Sequence, residues 1–196
     1  MKHIVAIVPA AGLSRRFGGP NKLLQPFGGT TVVGAVIGRL AEAGLPVVVV
    51  TGRDAELVAQ AVTRVEVPGH TTCVLNPDWE TGGLGSSIAV GVGAAPQADG
   101  YLIALGDMPG LRVEAIRSLI ECFEQGSSDS IVAPTYAEDP AQPGHPVHFG
   151  SAHRDALAAL SGDEGARSIL RANPDKLIRL PLAGRLEDID RPEDLL

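Results

Sequence analysis

Glycines and cations are concentrated in one early segment, PAAGLSRRFGGPNKLL, which runs from Pro9 to Leu24. Its glycines are Gly12, Gly18 and Gly19. Glycine permits close backbone approach, so successive N–H groups in such a loop can point at one anion. Arg16 and Lys22 add positive charge, and Ser14 adds a hydroxyl donor. The segment is typical of a loop that binds phosphate groups, and a flexible surface loop with solvated cations is the alternative.

A carboxylate follows an apolar run in the segment LIALGDMPGL, Leu102–Leu111. Asp107 would emerge at the end of a buried strand, which would hold its carboxylate in place. Because Mg²⁺ takes one or two carboxylates together with phosphate oxygens, Asp107 is the leading candidate for a magnesium ligand. A turn-forming or helix-capping aspartate is the alternative. Asp190, in the segment LEDIDRPEDLL, is a candidate second ligand, although a cap or a solvated turn explains it equally well.

A second glycine-rich segment, NPDWETGGLGSSIAVG, spans Asn76–Gly91. Its three closely spaced glycines, Gly82, Gly83 and Gly85, precede Ser86 and Ser87. A helix that begins here would offer N–H groups and the favourable end of its dipole to an anion. Asn76 could contact a base or a ribose, and Trp79 is as well suited to packing as to binding. The alternative is a glycine-rich turn whose serines are ordinary N-caps.

Two histidines lie in the segment GHPVHFG, Gly144–Gly150. On a strand, positions three apart project onto opposite faces, so His145 and His148 are poorly placed to share a zinc ion. His145 is kept as a candidate for substrate contact.

A further segment, SGDEGARSIL, combines charge with glycine. Asp163 and Arg167 flank Gly165 at the predicted start of a helix. These residues could recognise a second, bulky anionic substrate.

Apolar runs and helical patterns alternate along the chain. The predicted strands are His3–Val8, Val47–Thr51, Thr71–Leu75, Tyr101–Leu105 and Ser130–Thr135, with a further strand-like piece in GHPVHFG. The predicted helices are TVVGAVIGRLAEAG after a Thr30 cap and ending at Gly44, DAELVAQAVTRV with Asp54 as N-cap, GSSIAVGVGAA, and RVEAIRSLIECFEQG. This alternation predicts an α/β fold with a mostly parallel sheet covered on both faces. The polar, glycine-rich segments follow the strands, where ligands bind in such sheets.

Composition narrows the possible functions of the 196-residue chain, for which a single domain over residues 1–196 is expected. The net charge of −7 and the 4% aromatic content argue against nucleic-acid binding. No apolar run approaches the ~18 residues that a membrane span requires, and the short apolar N-terminus is no signal peptide. A cytoplasmic protein is expected, with Cys73 and Cys122 as reduced thiols in or near the core.

Together these segments resemble the nucleotidyltransferases of molybdenum-cofactor biosynthesis, within the larger glycosyltransferase-A-like nucleotidyltransferase fold. The family opening, L-A-A-G-x-S-x-R-M-G-x-x-K-L-L, resembles residues 9–24, which have one additional residue between Gly18 and Lys22. Pro9 and Phe17 are departures that do not remove a phosphate contact. The G-D-M-P segment, the N-P-x-W and G-L-x-S-S pieces, G-H-P-V, G-D-x-G-A-R and the final D-I-D-x-P-E-D-L also match, in order. The resemblance implies a three-layer α/β/α, Rossmann-like fold of the nucleotide-diphospho-sugar transferase type.

The resemblance also implies a reaction, the magnesium-dependent transfer of CMP from CTP to molybdopterin with release of pyrophosphate. It assigns Arg16, Lys22 and Asp107 to catalysis, with Asp107 and Asp190 as possible metal ligands. The expected nucleotide-binding residues are Ala10, Ala11, Gly12, Ser14, Arg16, Lys22, Thr51, Gly52, Asn76, Gly83, Ser86 and Ser87. The expected pterin-side residues are His145, Asp163, Gly165 and Arg167.

Three alternatives to the cytidylyltransferase assignment are open. The chain could be a molybdopterin guanylyltransferase that uses GTP, because Gly18-Gly19 fits the G-G-x-D-K ending of that branch, although Asn21 replaces its aspartate. It could be a sugar-phosphate or polyol-phosphate nucleotidyltransferase, in which the G-D-x-G-A-R segment is less expected. It could also bind the cofactor without catalysis, as a maturation partner of a molybdenum hydroxylase.

Overall fold

The structure, a computed structural model, describes residues 1–14, 17–65, 71–137, 139–183, 189 and 191–195. Seven strands form its central sheet: β1 (Ile4–Ala10), β4 (Val47–Thr51), β5 (Thr71–Leu75), β6 (Gly100–Ile103), β7 (Ile131–Thr135), β8 (Val147–Gly150) and β9 (Leu177–Pro181). A separate two-stranded ribbon joins β2 (Pro26–Phe27) to β3 (Thr30–Thr31). The five strands predicted from apolar runs are all present, with ends shifted by at most two residues. The patterns missed β9 and the ribbon.

The strands of the sheet follow the order β5-β4-β1-β6-β8-β7-β9. Strand β1 lies between β4 and β6 and pairs parallel with both. Only β8 runs antiparallel to its neighbours, β6 and β7. The prediction of a mostly parallel sheet is therefore confirmed. The loops that follow β1, β4 and β6 leave the sheet along the same edge, because the carboxyl ends of parallel strands lie together.

Helices cover both faces of the sheet. They are α1 (Val32–Glu42), α2 (Ala55–Thr63), α3 (Gly83–Ala94), α4 (Val113–Glu124), α5 (Arg154–Ala158) and α6 (Arg167–Ala172). Alternate residues of β1 belong to different cores, because Ile4, Ala6 and Val8 pack with α1, α2 and α4 whereas Val5 and Ile7 pack with α3, α5 and α6. The predicted three-layer architecture is confirmed. None of the described helices has the length and apolar character needed to cross a membrane.

The capping residues predicted at the helix ends are correct for some helices and wrong for others. Thr31, not Thr30, caps α1, because its hydroxyl accepts a hydrogen bond from the Gly34 amide at 3.1 Å. Gly44 follows the helix with a φ of +88°, as expected for a C-terminal glycine. Asp54 does precede α2, but its side chain makes no capping bond and is used elsewhere. Helix α3 begins at Gly83, so Ser86 and Ser87 lie inside its first turns and are not N-caps.

The prediction of buried cysteines is wrong for Cys73, which is exposed, while Cys122 is half-buried. The reason is the position of β5 at the edge of the sheet, which leaves most of that strand open to solvent. An apolar context in the sequence does not distinguish an edge strand from a central one.

His148 is a fully buried polar residue in the middle of β8. Its ring stacks on Phe123 with 3.6 Å between ring centroids. Among the described residues, neither ring nitrogen has a hydrogen-bond partner. Burial, assisted by the charge of Lys2, lowers the pKa of His148 to about 3.

We expect acid to destabilise the fold through His148. Below pH 6.5 the unfolded chain binds a proton at this histidine and the folded chain does not, so the free energy of unfolding falls as pH falls toward 3. Between pH 7.5 and pH 5.0, His148 lowers the free energy of unfolding by about 2 kcal/mol. The free energy of unfolding is measured with urea at both pH values. Its decrease from pH 7.5 to pH 5.0 should be about 2 kcal/mol smaller in His148→Leu than in the wild type.

The matched control for this measurement is His3→Gln, at an exposed histidine. It should keep the wild-type difference between the two pH values. An unchanged difference in His148→Leu would contradict the assignment of the pH dependence to His148.

Candidate functional site

Two adjoining clefts lie at the carboxyl edge of the sheet. The first, called here the loop cleft, has a volume of about 620 Å³ and is lined by the opening segment, Lys22 and Asp107. The second, the His145 cleft, has a volume of about 560 Å³ and lies against α3, β8 and α6. Both clefts are lined by Leu84, Leu105 and Asp163. A molecule bound in one cleft would therefore lie beside a molecule bound in the other.

Lys22 and Asp107 meet in the loop cleft. The Lys22 Nζ donates a hydrogen bond to Asp107 Oδ2 at 2.6 Å, and the two side chains are 14% and 19% exposed. Their contact joins the loop after β1 to the loop after β6. Residues 104–107 are held beside β1, since the Ala104 amide donates to Ile7 and the Gly106 amide donates to Pro9.

The second carboxylate oxygen of Asp107 is suited to a divalent cation. Asp107 Oδ1 is buried and has no hydrogen-bond partner among the described residues. The described part of the chain holds no cluster of three acidic, histidine or cysteine side chains that could enclose a metal. A metal here would depend on Asp107 and on oxygens of a bound phosphate, as Mg²⁺ commonly does. The predicted second ligand, Asp190, lies outside the described residues.

The opening segment is held from the neighbouring strand. After β4, the Arg53 guanidinium donates to the main-chain oxygen of Leu13 at 2.6 Å and to that of Gly19 at 3.3 Å. It thereby clamps the loop on both sides of residues 15 and 16, which lie outside the description. The predicted phosphate ligand Arg16 is one of these two residues. The role of Arg53 is not visible in the sequence, because a side chain that binds main-chain carbonyls leaves no motif.

Asn21 connects the same two loops. Its side-chain oxygen accepts from the Leu23 amide at 3.0 Å, which caps the 3-10 helix Lys22–Leu24. Its side-chain nitrogen donates to Asp54 Oδ2 and to the Arg53 main-chain oxygen, each at 3.3 Å. These contacts explain the missing cap on α2, because the Asp54 carboxylate faces Asn21 and Arg53.

The predicted nucleotide-binding residues divide into two groups. Those that line the loop cleft are Ala10, Ala11, Gly12, Ser14, Lys22, Gly83 and Ser87. Thr51, Gly52, Asn76 and Ser86 do not line it. Leu84, Leu105 and Glu80 also line this cleft, although the sequence did not predict them as site residues. Trp79, which the sequence left open between packing and binding, lines it as well.

Asn76 positions neighbouring residues in the structure, and its predicted contact with a base or a ribose stays a prediction. It is fully buried, and its amide donates to the hydroxyls of Ser86 and Ser87 at 2.9 and 3.1 Å. Its oxygen accepts from the Asp78 amide at 3.0 Å. Thr51 is similarly buried, and its hydroxyl donates to the Val74 main chain at 3.2 Å. Both side chains hold the edge of the sheet together.

The His145 cleft contains three of the four residues predicted for the second substrate. His145, Asp163 and Arg167 line it, whereas Gly165 is buried beneath. Gly165 has a φ of +58°, and a Cβ there would approach Leu84 to 2.7 Å. Gly165 therefore packs against Leu84, and its contact with the second substrate stays a prediction.

Tyr136 is a lining residue of the His145 cleft that the sequence did not indicate. Its hydroxyl donates to the main-chain oxygen of His145 at 3.1 Å. Burial raises the pKa of the Tyr136 phenol to about 12, so the group remains a hydrogen-bond donor at neutral pH.

The profile of the MobA-like NTP transferase domain matches residues 6–177 of this chain. The chain belongs to the MobA-like NTP transferase family. It is therefore a nucleotidyltransferase, and the sequence resemblance at this level is confirmed. The matched range contains both glycine-rich segments and Asp107.

Relatives of this MobA-like transferase cover nearly its whole length. A protein of Paenarthrobacter nicotinovorans named nicotine blue oxidoreductase is 32% identical, over 98% of this chain and 94% of its own. Among solved structures, Rv0371c of Mycobacterium tuberculosis is 28% identical with a TM-score of 0.78, over 98% of this chain and 95% of its own. A nucleotidyl transferase of Methanothermobacter, Mth528, is 26% identical with a TM-score of 0.79, over 98% and 94%.

In this MobA-like transferase, the glycine-rich segment Asn76–Gly91 contacts the segment SGDEGARSIL through its main chain. The Gly85 amide donates to the Gly162 main-chain oxygen at 2.7 Å, and the Gly162 amide donates to Gly82 at 3.0 Å. A Cβ on Gly85 would lie 2.6 Å from the Ser161 main-chain oxygen. Because the obstacle is backbone, no side chain can move aside to make room.

Gly85→Ala is expected to separate these two segments, destabilising the protein and lowering activity. Gly93→Ala, in the same helix, is the matched control because a Cβ there meets nothing within 4 Å. It should stabilise the fold by about 0.5–1 kcal/mol through helix propensity. Thermal unfolding of both variants tests the pair, and equal stability changes would contradict the contact.

Proposed function

We propose that this MobA-like transferase moves CMP from CTP to molybdopterin and releases pyrophosphate. The observation that carries the proposal is the meeting of Lys22 and Asp107 in a cleft that adjoins a second, partly apolar cleft. Two clefts side by side suit a reaction between a nucleotide and a separate acceptor. The choice of CTP rests on the resemblance of the A-A-G, G-H-P and G-D-x-G-A-R segments to the cytidylyltransferase branch.

In the proposed reaction the loop cleft holds the triphosphate. The amides of the opening loop and the Lys22 ammonium would neutralise the β and γ phosphates, stabilising the pyrophosphate as it leaves. Arg16, outside the described residues, would add a further cation. Glycines in the loop would bring main-chain amides close to the phosphates.

Asp107 would hold Mg²⁺ or a similar divalent ion, which when bound supplies charge neutralisation at the phosphate oxygens. The buried, unpartnered Oδ1 supports this role. A crystal structure of Rv0371c with manganese, 25% identical to this chain with a TM-score of 0.75, supports a divalent ion in this family. Asp190 stays a prediction as the second ligand.

The acceptor would occupy the His145 cleft. Apolar walls from Leu84, Ile88 and Phe149 suit a flat heterocycle, and Tyr136 and Arg167 supply polar contacts. A terminal phosphate that enters the loop cleft past Leu105 would attack the α-phosphorus in line. An ionised phosphate needs no general base, so the chain's task is to position it and to exclude water.

A nucleotide panel tests the proposed substrates. CTP, GTP, ATP and UTP are each supplied with molybdopterin and magnesium, and pyrophosphate release is measured. The highest kcat/KM is expected with CTP. Equal or faster release with GTP would replace the cytidylyltransferase assignment by guanylyl transfer. Release only with a sugar phosphate or polyol phosphate as acceptor would replace molybdopterin, and binding without release would favour a maturation partner.

Oxidoreduction is a second candidate function, because the 32%-identical relative from Paenarthrobacter bears the name of an oxidoreductase. A parallel assay with NADH or NADPH and the dye nicotine blue tests it. Absorbance loss of the reduced nicotinamide that depends on this protein would favour oxidoreduction over nucleotidyl transfer.

Asp107→Asn should lower kcat/KM for pyrophosphate release by about 10²–10³-fold while the protein stays folded. The amide keeps the shape of the side chain and removes the charge that a divalent ion needs. Asp155→Asn, at an exposed position of α5 outside both clefts, is the control and should retain activity. Circular dichroism checks the fold, and near-normal activity of a folded Asp107→Asn would remove Asp107 from the mechanism.

A further inference from the structure

Lys22 neutralises the carboxylate of Asp107 in the loop cleft. The ammonium and the carboxylate are 2.6 Å apart, and both side chains are less than one fifth exposed. A partly buried carboxylate without a counter-charge is costly, so this contact offsets the cost of burying the Asp107 carboxylate. The same carboxylate is the proposed metal ligand. A divalent ion and the lysine ammonium repel each other, and both favour the Asp107 oxygens.

The attachment of Lys22 lets its ammonium change partners without a change in the backbone. The Lys22 main chain begins the 3-10 helix that Asn21 caps, and its amide lies 3.4 Å from the Ser14 hydroxyl oxygen. Beyond this fixed point, the side chain is a flexible four-carbon stem that ends in a compact charge. The loop cleft that Lys22 lines is also lined by residues of the opening loop, among them Gly12 and Ser14.

We propose that Lys22 couples metal binding to nucleotide binding, an inference that rests on the proposed function of this cleft. Without a nucleotide, the ammonium holds Asp107 Oδ2 and weakens metal binding. A triphosphate offers the ammonium new anionic partners and leaves both oxygens of Asp107 to the metal. By thermodynamic linkage the metal then strengthens nucleotide binding by the same factor. The empty enzyme would thus bind little metal until its substrate arrives.

Binding of Mn²⁺ to the nucleotide-free protein tests this coupling. The free ion is measured by electron paramagnetic resonance for the wild type, Lys22→Met and Lys22→Arg. Lys22→Met should bind Mn²⁺ about tenfold more tightly than the wild type, within the range typical of coupling between sites. Lys22→Arg keeps a cation at this position and should stay within about twofold of the wild type.

A second measurement distinguishes loss of the Lys22–Asp107 contact from a general effect of removing a positive charge on Mn²⁺ affinity. Arg167→Met removes a cation from the neighbouring His145 cleft, away from the Lys22–Asp107 contact, and should change Mn²⁺ affinity by less than about twofold. A gain in Arg167→Met equal to that in Lys22→Met, or no gain in Lys22→Met, would overturn the coupling. Both results leave the proposed reaction intact.

The coupling factor itself is measured with saturating CTP. CTP chelates Mn²⁺ itself and so raises the Mn²⁺ affinity of both proteins. The ratio of Mn²⁺ affinities with and without CTP should nevertheless be larger in the wild type than in Lys22→Met, because only the wild type has an ammonium to displace. Equal ratios would overturn the proposal. A different result is expected if Asp107 is not the metal ligand. In that case Asp107→Asn, alone or combined with Lys22→Met, should bind Mn²⁺ with the affinity of the wild type.

Discussion

The pairing of β1 with β4 on one side and with β6 on the other determines where the opening loop, the Arg53 turn and the Asp107 loop lie. These three parallel strands end along one edge, with Ala10 paired opposite Thr51. The opening loop, the Arg53 turn and the Asp107 loop therefore converge, although nearly a hundred residues separate the first from the last. A change in the order of these strands would leave each motif intact and separate the side chains that act together.

Close approach between main chains is the second requirement of the site. The segments around Gly85 and Gly162 exchange main-chain hydrogen bonds, and Leu84 lies against Gly165. This contact joins the start of α3 to the loop before α6 and brings Leu84 and Asp163 to the boundary between the clefts. Glycine is required at Gly85 because backbone, and not a movable side chain, stands where its Cβ would be. The division into two adjoining clefts depends on this contact.

Lys22 and Arg53 make different contacts around the loop cleft. The carboxylate of Asp107 faces the ammonium of Lys22, while Arg53 satisfies main-chain carbonyls of the opening loop. The two cations thus differ in role, because Lys22 pairs with a carboxylate of the cleft and Arg53 supports the opening loop. A glycine-rich loop has few side-chain contacts of its own, so the hydrogen bonds from Arg53 help to give the opening loop a defined shape.

The sequence by itself determined the alternation of strands and helices and the edge of the sheet at which the clefts lie, and it predicted Lys22 and Asp107 as site residues. Local patterns are enough for these features, because apolar runs, glycines and charges are visible one segment at a time. Only the tertiary structure decided that Asn76 is buried behind the site, that Cys73 is exposed on an edge strand, and that Arg53 clamps the opening loop. These roles depend on which strand neighbours which and on hydrogen bonds to main-chain atoms, and neither leaves a pattern in the order of the residues.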